Sequence, residues 1–96
     1  MITLLKTKKN HTVHVNLHGI IPRIGECINI INQPELYNGY NPEINWSPIW
    51  IIKNVIYNYG SAGKDLKELQ SITIEIVNKT EELLDLIDDI ENQIIS

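Results

Sequence analysis

The chain has 96 residues, a formal net charge of −4 at pH 7 and 43% hydrophobic residues. A chain of this length forms one domain with a single modest core, and its composition is that of an ordered globular protein rather than a disordered or fibrous one. The lone cysteine, Cys27, excludes an internal disulfide and a cysteine-rich zinc site. No apolar run approaches the roughly 20 residues of a membrane-spanning helix, so we expect a soluble protein.

The first part of the chain predicts three short β-strands. Residues 2–7 and 12–18 alternate between apolar and polar side chains, which is typical of half-buried antiparallel strands. A third strand, residues 26–31, places Ile28 and Ile30 on one face. The branched isoleucine and valine side chains that dominate these segments favour strands.

Two further strands are predicted after residue 48. The strand at 49–59 changes its inward parity across Lys53-Asn54, so that Val55 and Tyr57 point inward beyond this step. Such a change is the mark of a β-bulge, which bends a strand. The strand at 72–76 alternates regularly, with its three isoleucines inward.

The intervening loop, residues 32–48, is rich in Pro, Gly and Asn and is longer than a compact domain normally contains without a functional reason. It carries the aromatic residues Tyr37, Tyr40 and Trp46. Aromatic side chains offer a large contact area with few rotatable bonds, and therefore anchor many interfaces. We predict that this loop meets a protein partner. The alternative is that Tyr37 and Trp46 fold back over an open end of a barrel.

Residues 80–96 predict one amphipathic helix, with Thr80 as its N-cap and acidic residues in its first turn. Its apolar stripe repeats at spacings of four, three and four residues. The stripe consists of Leu83, Ile87, Ile90 and Ile94, flanked by Leu84 and Leu86. An acidic surface, Asp85, Asp88 and Asp89, occupies the other side. Because a helix of this length is marginal alone in water, we expect it to pack on the barrel or on another subunit.

Charge is distributed unevenly along the chain. Residues 1–23 carry four basic side chains and no acid, whereas residues 71–96 carry seven acids and one lysine. Opposite charges at the two ends can steer one copy onto another, or hold the helix over the start of its own chain. Two ordinary solvated faces are the alternative.

The strand pattern resembles that of SH3-like small β-barrels. The resemblance rests on Pro22-Arg23-Ile24-Gly25-Glu26 leading into a strand, Trp50-x-Ile52-x-x-Val55-x-Tyr57 in a bent strand, and Ile72-Thr73-Ile74-Glu75-Ile76 in a closing strand. It covers residues 20–77 and implies architecture alone, because small barrels serve many functions. We therefore predict a mainly β fold with one helix. A small, bent antiparallel β-barrel of five strands spans residues 1–79, and the C-terminal helix follows it.

No constellation of residues predicts catalysis, a cofactor or a metal site. His14 and His18 share a strand face but lie about 13 Å apart at 3.3 Å per residue, and His11 falls on the opposite face. A zinc site would need ligands from elsewhere. Cys27 lacks the neighbouring base and oxyanion hole of a catalytic thiol, and is predicted to be a packing residue.

These observations predict a non-catalytic protein–protein interaction or assembly module that self-associates through its helix and meets a protein partner through loop 32–48. Frequent Ile, Asn and Lys indicate an AT-rich genome, and a bacteriophage structural or accessory protein, in the host cytoplasm or the virion, fits this size. One alternative is a small inhibitor whose acidic helix occupies a host nucleic-acid-processing or defence enzyme. A second is a nucleic-acid-binding barrel that uses Lys6, Lys8 and Lys9, although the acidic net charge disfavours it. No membrane partner is expected.

Overall fold

The computed structural model describes residues 2–61, 63 and 67–95, with residues 94 and 95 described by their backbone. The strands are β1 (Ile2–Thr7), β2 (Thr12–Val15), β3 (Cys27–Asn29), β4 (Ile49–Ser61) and β5 (Lys67–Asn78). A short 3-10 helix spans Pro34–Tyr37, and the helix α1 spans Lys79–Ile95. None of the helices within these described ranges is long and apolar enough to cross a membrane.

The five strands form one sheet in the order β2-β1-β5-β4-β3, and this sheet curls into a half-barrel. The predicted mainly β fold with five strands and a C-terminal helix is confirmed. Two features differ from the expectation. Strands β1 and β5 pair in parallel, whereas the other three pairs are antiparallel, and the half-barrel stays open between its edge strands β2 and β3. Periodicity could not reveal the parallel pair, because both kinds of ladder share the two-residue repeat.

Strand β4 bends at the predicted bulge. Ile52 lies opposite Ile76, but Asn54 lies opposite Glu75, so Lys53 is the extra residue. The bend lets the two halves of β4 serve the same core, since Trp50 and Ile52 before the bulge and Val55 after it all face inward.

Tyr57 falls on the predicted face of β4, opposite Ile72, but its side chain is 47% exposed. The reason is its position along the hairpin. Strand β1 pairs with β5 only from Ser71 onward, and the β4–β5 hairpin continues beyond that point. Tyr57 therefore lies where the half-barrel gives way to a projecting arm.

The core lies inside the curl of the sheet and draws residues from both strands and loop. It consists of Leu5, Leu36, Tyr40, Trp50, Ile52, Ile72, Ile74 and Ile76. The predicted inward faces of β2, β3 and β5 are confirmed, since Val13, Val15, Leu17, Ile28 and Ile30 pack against this core. Leu36 and Tyr40 come from the long loop, which therefore closes one end of the half-barrel.

The molecule is elongated, with extents of 58 × 33 × 22 Å. Its Cα radius of gyration is 16.4 Å, compared with about 12.5 Å for a compact chain of this length. Its accessible surface is 6938 Å², compared with about 5600 Å² for a typical monomer of this mass. The chain therefore leaves more surface in water than its size requires.

Candidate interaction surfaces

The start of α1 is fixed to the sheet by Asn78, whose side chain is fully buried. Asn78 Oδ1 accepts a hydrogen bond from the N–H of Thr80 at 2.9 Å, and its Nδ2 donates to the carbonyl of Ser47 at 2.7 Å. The prediction that Thr80 caps the helix is wrong. The helix begins at Lys79, so Asn78 stands in the capping position, where asparagine is favoured. The hydroxyl of Thr80 instead accepts from the N–H of Ser47 at 3.0 Å.

Glu81 joins the same turn to the long loop. Its side chain is 8% exposed, and its Oε1 accepts a hydrogen bond from the hydroxyl of Tyr40 at 3.3 Å. Burial of the phenol, followed by the negative charge of Glu81 and this hydrogen bond, raises the pKa of Tyr40 to about 12. Tyr40 therefore remains a neutral hydrogen-bond donor at physiological pH and links the loop to α1.

The aromatic residues of the loop pack on the core. The ring centroids of Tyr37 and Trp50 are 5.5 Å apart, and Tyr40 makes edge-to-face contacts with Trp46 at 5.0 Å and Trp50 at 6.1 Å. The indole N–H of Trp46 donates to the carbonyl of Asn41 at 2.7 Å. Tyr40 is buried and not exposed, so the loop folds back over the barrel end. Binding of a partner through Tyr37, Tyr40 and Trp46 stays a prediction.

Two ion pairs join the beginning of α1 to the strands. Lys8 Nζ lies 2.8 Å from Asp85 Oδ2, and Lys53 Nζ lies 2.8 Å from Glu82 Oε1. The hydrogen bond and charge of Asp85 raise the pKa of Lys8. All four side chains are about half exposed, so each pair adds little to stability. The Lys8 pair nevertheless joins the acidic helix to the basic start of the chain, one of the arrangements that the charge pattern predicted.

Beyond Glu82 the apolar side of α1 lies in water. We call this surface the helix stripe, and its described members are Leu83 (53% exposed), Leu84 (38%), Leu86 (56%), Ile87 (51%) and Ile90 (47%). The side chain of Ile94, also predicted to belong to it, lies outside the described part of the chain. Contiguous exposed apolar side chains mark interaction sites on folded proteins. The predicted acids Asp85, Asp88 and Asp89 are exposed beside the stripe.

The loop and the helix meet at a cleft of about 360 Å³. Tyr40 and Trp46 line one side, and Leu84, Asp85 and Asp88 line the other. The structure therefore brings together two groups of residues that the sequence predicted separately. Lys9 also borders the cleft, with its Nζ 5.8 Å from the centroid of the Tyr40 ring.

A second apolar surface lies where the half-barrel is open, and we call it the open groove. Two cavities of about 620 and 530 Å³ share Leu17 and Ile28 as lining residues. Ile31 lines the first and is 69% exposed, and Ile20 lines the second and is 74% exposed. Sequence reasoning missed this groove. The available signal was the pair Ile20-Ile21 in a turn segment, where an apolar side chain has no core to face.

The described residues contain no group of three or more His, Cys, Asp or Glu side chains placed to hold a metal ion. His14 and His18 are exposed, and His11 is half-buried. The prediction that Cys27 packs in the interior is wrong, because its thiol is free and the residue is exposed. Cys27 lies on β3 beside Ile28, and it is Ile28 that faces the core.

No protein-family model, curated protein or solved structure matches the chain.

Proposed function

We propose that this protein is a non-catalytic assembly module that associates with a second copy of itself through the helix stripe. The observation that supports the proposal most strongly is the contrast along α1. Its first turn is held by the buried Asn78 and Glu81, whereas the five described members of the stripe, from Leu83 onward, are between 38% and 56% exposed. The anchored turn holds this apolar surface outward in water.

The energetics favour covering the stripe. Full burial of one Leu or Ile side chain is worth about 1.5–3 kcal/mol, so covering five half-exposed ones gains several kcal/mol. The chain also exposes about 1300 Å² more surface than a typical monomer of its mass. A specific interface removes about 800 Å² from each partner, so the excess is large enough to supply one.

Two contacts of charged side chains weaken the alternative functions, an inhibitor and a nucleic-acid-binding barrel. Asp85, one of the three acids on which an inhibitory helix would depend, is already paired with Lys8. That pair also engages one of the three lysines of a nucleic-acid site, and Lys9 lies over the ring of Tyr40. Both contacts engage these charged side chains within the molecule. The setting we propose, a bacteriophage structural or accessory component, depends on size and composition.

The substitution Ile87→Asp tests the helix stripe. Ile87 is 51% exposed, so its replacement should leave the fold intact while placing a charge in the proposed interface. In light scattering, we expect the mass of the wild-type chain to exceed that of a monomer and to rise with concentration. The variant should remain monomeric. The association of the variant should be at least about tenfold weaker than that of the wild type, which corresponds to a loss of about 1.4 kcal/mol of association free energy.

The matched control is Asn92→Asp, which adds the same charge at an exposed position of α1 outside the stripe. It should associate like the wild type. A wild-type chain that is monomeric at all concentrations, or an Ile87→Asp variant that associates normally, would refute the proposed function.

A further inference from the structure

We infer that the surface that receives the helix stripe is the open groove of a second copy, so that copies join head to tail rather than helix to helix. This inference rests on the proposed self-association and adds the identity of the receiving surface. It follows from the position, shape and charge of the two surfaces.

The stripe and the groove lie in different parts of the molecule. Helix α1 leaves the sheet after Asn78, the end of β5 that lies opposite Trp50. The groove lies at the edge strands β2 and β3, away from the central strand β5 that continues into α1. The stripe remains exposed in the described structure, so it does not fill its own groove. Each copy therefore offers both an apolar helix and an apolar receptor.

The shape of the groove suits a helix. Its two main cavities adjoin through Leu17 and Ile28, and their exposed rims carry Ile31 and Ile20. An amphipathic helix binds such grooves with side chains at spacings of three and four residues, which are the spacings of Leu83, Ile87 and Ile90. The gap between β2 and β3 is thus the place where helix α1 of a second copy binds.

Charge favours the groove over a second helix as the receptor. Helix α1 carries six acids and one lysine, whereas the two cavities of the groove are lined by one arginine, Arg23, and one glutamate, Glu26. Two such helices side by side would place like charges within the Debye length of about 10 Å at 0.1 M salt. A helix in the groove avoids this repulsion, because Arg23 and Glu26 offset each other there.

A head-to-tail contact uses two different surfaces, and this has a testable consequence. Such contacts generate rings when the rotation closes and filaments when it does not. A copy with a damaged stripe still has a working groove, and a copy with a damaged groove still has a working stripe. The two damaged copies can therefore bind each other once, and growth stops there.

The test uses three full-length variants, each checked for folding by circular dichroism. Ile87→Asp damages the stripe and Ile31→Asp damages the groove. Ile24→Asp is the matched control, because Ile24 is 65% exposed, close to the 69% of Ile31, but lines none of the groove cavities. Ile20→Asp serves as a second groove variant should Ile31→Asp fail to fold. Masses are measured by sedimentation for each variant alone and for 1:1 mixtures.

We expect the stripe and groove variants to be monomeric alone, their mixture to form a 1:1 dimer, and the control to assemble like the wild type. If the groove variants assemble normally while Ile87→Asp is monomeric, helices pair with each other; the inference then fails and the proposed function stands. If the mixture stays monomeric although both variants are folded, the inference fails. If the wild type itself is monomeric, both fail.

Discussion

Tyr40 is the residue at which the core, the long loop and the helix meet. Its ring contacts Trp46 and Trp50, and its hydroxyl donates to Glu81. A phenol in this position is uncharged in the folded state, because ionisation would place a second negative charge beside Glu81 in a buried site. The stability of the protein should therefore depend on the proton of Tyr40 at alkaline pH.

The direction of this dependence follows from the pKa. The folded-state pKa of Tyr40 is raised from its ordinary 10.0 to about 12, so the folded state retains the proton longer than the unfolded state. Its contribution to stability is complete below pH 10 and is lost as the pH rises from 10 towards 12. We expect the urea midpoint of the wild type to fall more between pH 9 and pH 11 than that of Tyr40→Phe, which has no proton to lose.

Comparison with Tyr40→Phe isolates this effect. The raised pKa of Lys8 also removes stability as the pH rises, but it does so equally in both proteins. The midpoint at pH 7 corrects for the lost hydrogen bond to Glu81. Equal pH dependence in the two proteins would show that Tyr40 ionises alike in the folded and unfolded states.

At the level of the elements, features that depend on local periodicity could be predicted from the sequence, whereas features that depend on long-range contacts could not. The inward isoleucines of β5 and the bulge at Lys53 follow from the two-residue repeat of a strand. The helix stripe follows from the repeat of three to four residues of a helix. All three features are present. The burial of Leu36 and Tyr40 depends on a loop folding back onto distant strands, and no local pattern encodes that path. The open groove depends on β2 and β3 failing to meet, which is a property of the whole sheet.

Thr80 shows how a local rule can fail by two positions. Threonine and asparagine are both good N-caps, and the sequence Asn78-Lys79-Thr80 offers both. Burial decided between them, since Asn78 is 0% exposed and also donates to Ser47. The predicted start of the helix is too late because no local pattern encodes this contact of Asn78 with the loop.

Helix α1 has two parts with different roles, and truncation should separate them. A chain ending at Glu82 retains the contacts of Thr80, Glu81 and Glu82 with the loop and β4, whereas a chain ending at Lys79 loses all three. We expect the first truncation to unfold within about 1 kcal/mol of the monomeric Ile87→Asp chain. The chain ending at Lys79 should be less stable than the chain ending at Glu82 by about 2 kcal/mol or more, because it leaves buried hydrogen-bond donors without partners.

Urea denaturation of both truncations at pH 7 measures this difference. Both lack the helix stripe, so neither should self-associate. Equal stabilities of the two truncations would show that the first turn of α1 does not support the sheet, and that Asn78 alone holds the end of β5.

At the scale of the whole molecule, charge separates the two ways in which copies can meet. Two acidic helices would repel each other, whereas a helix in the groove would meet Arg23 and Glu26, which offset each other. Raising the salt from about 50 to about 500 mM shortens the Debye length severalfold. We expect the association of the wild type to change little over this range, as measured by sedimentation equilibrium, because a groove in which Arg23 and Glu26 offset each other leaves little attraction or repulsion to screen.

A stronger association at high salt would be as informative. If salt strengthens association, the screened charges are alike, and the acidic helices face each other. The variant Asn92→Asp provides the control, since one more acid on α1 should increase the response to salt only if the acidic helices face each other.

Strand β5 continues into α1 without an intervening residue, since the strand ends at Asn78 and the helix begins at Lys79. Strand β5 is also the central strand, bonded to β1 on one side and to β4 on the other. A mechanical load applied to the helix would therefore pass directly into the middle of the sheet and act in shear on two ladders of backbone hydrogen bonds. A chain of such copies would transmit tension through its central strand, with no flexible linker between the strand and the helix to extend first.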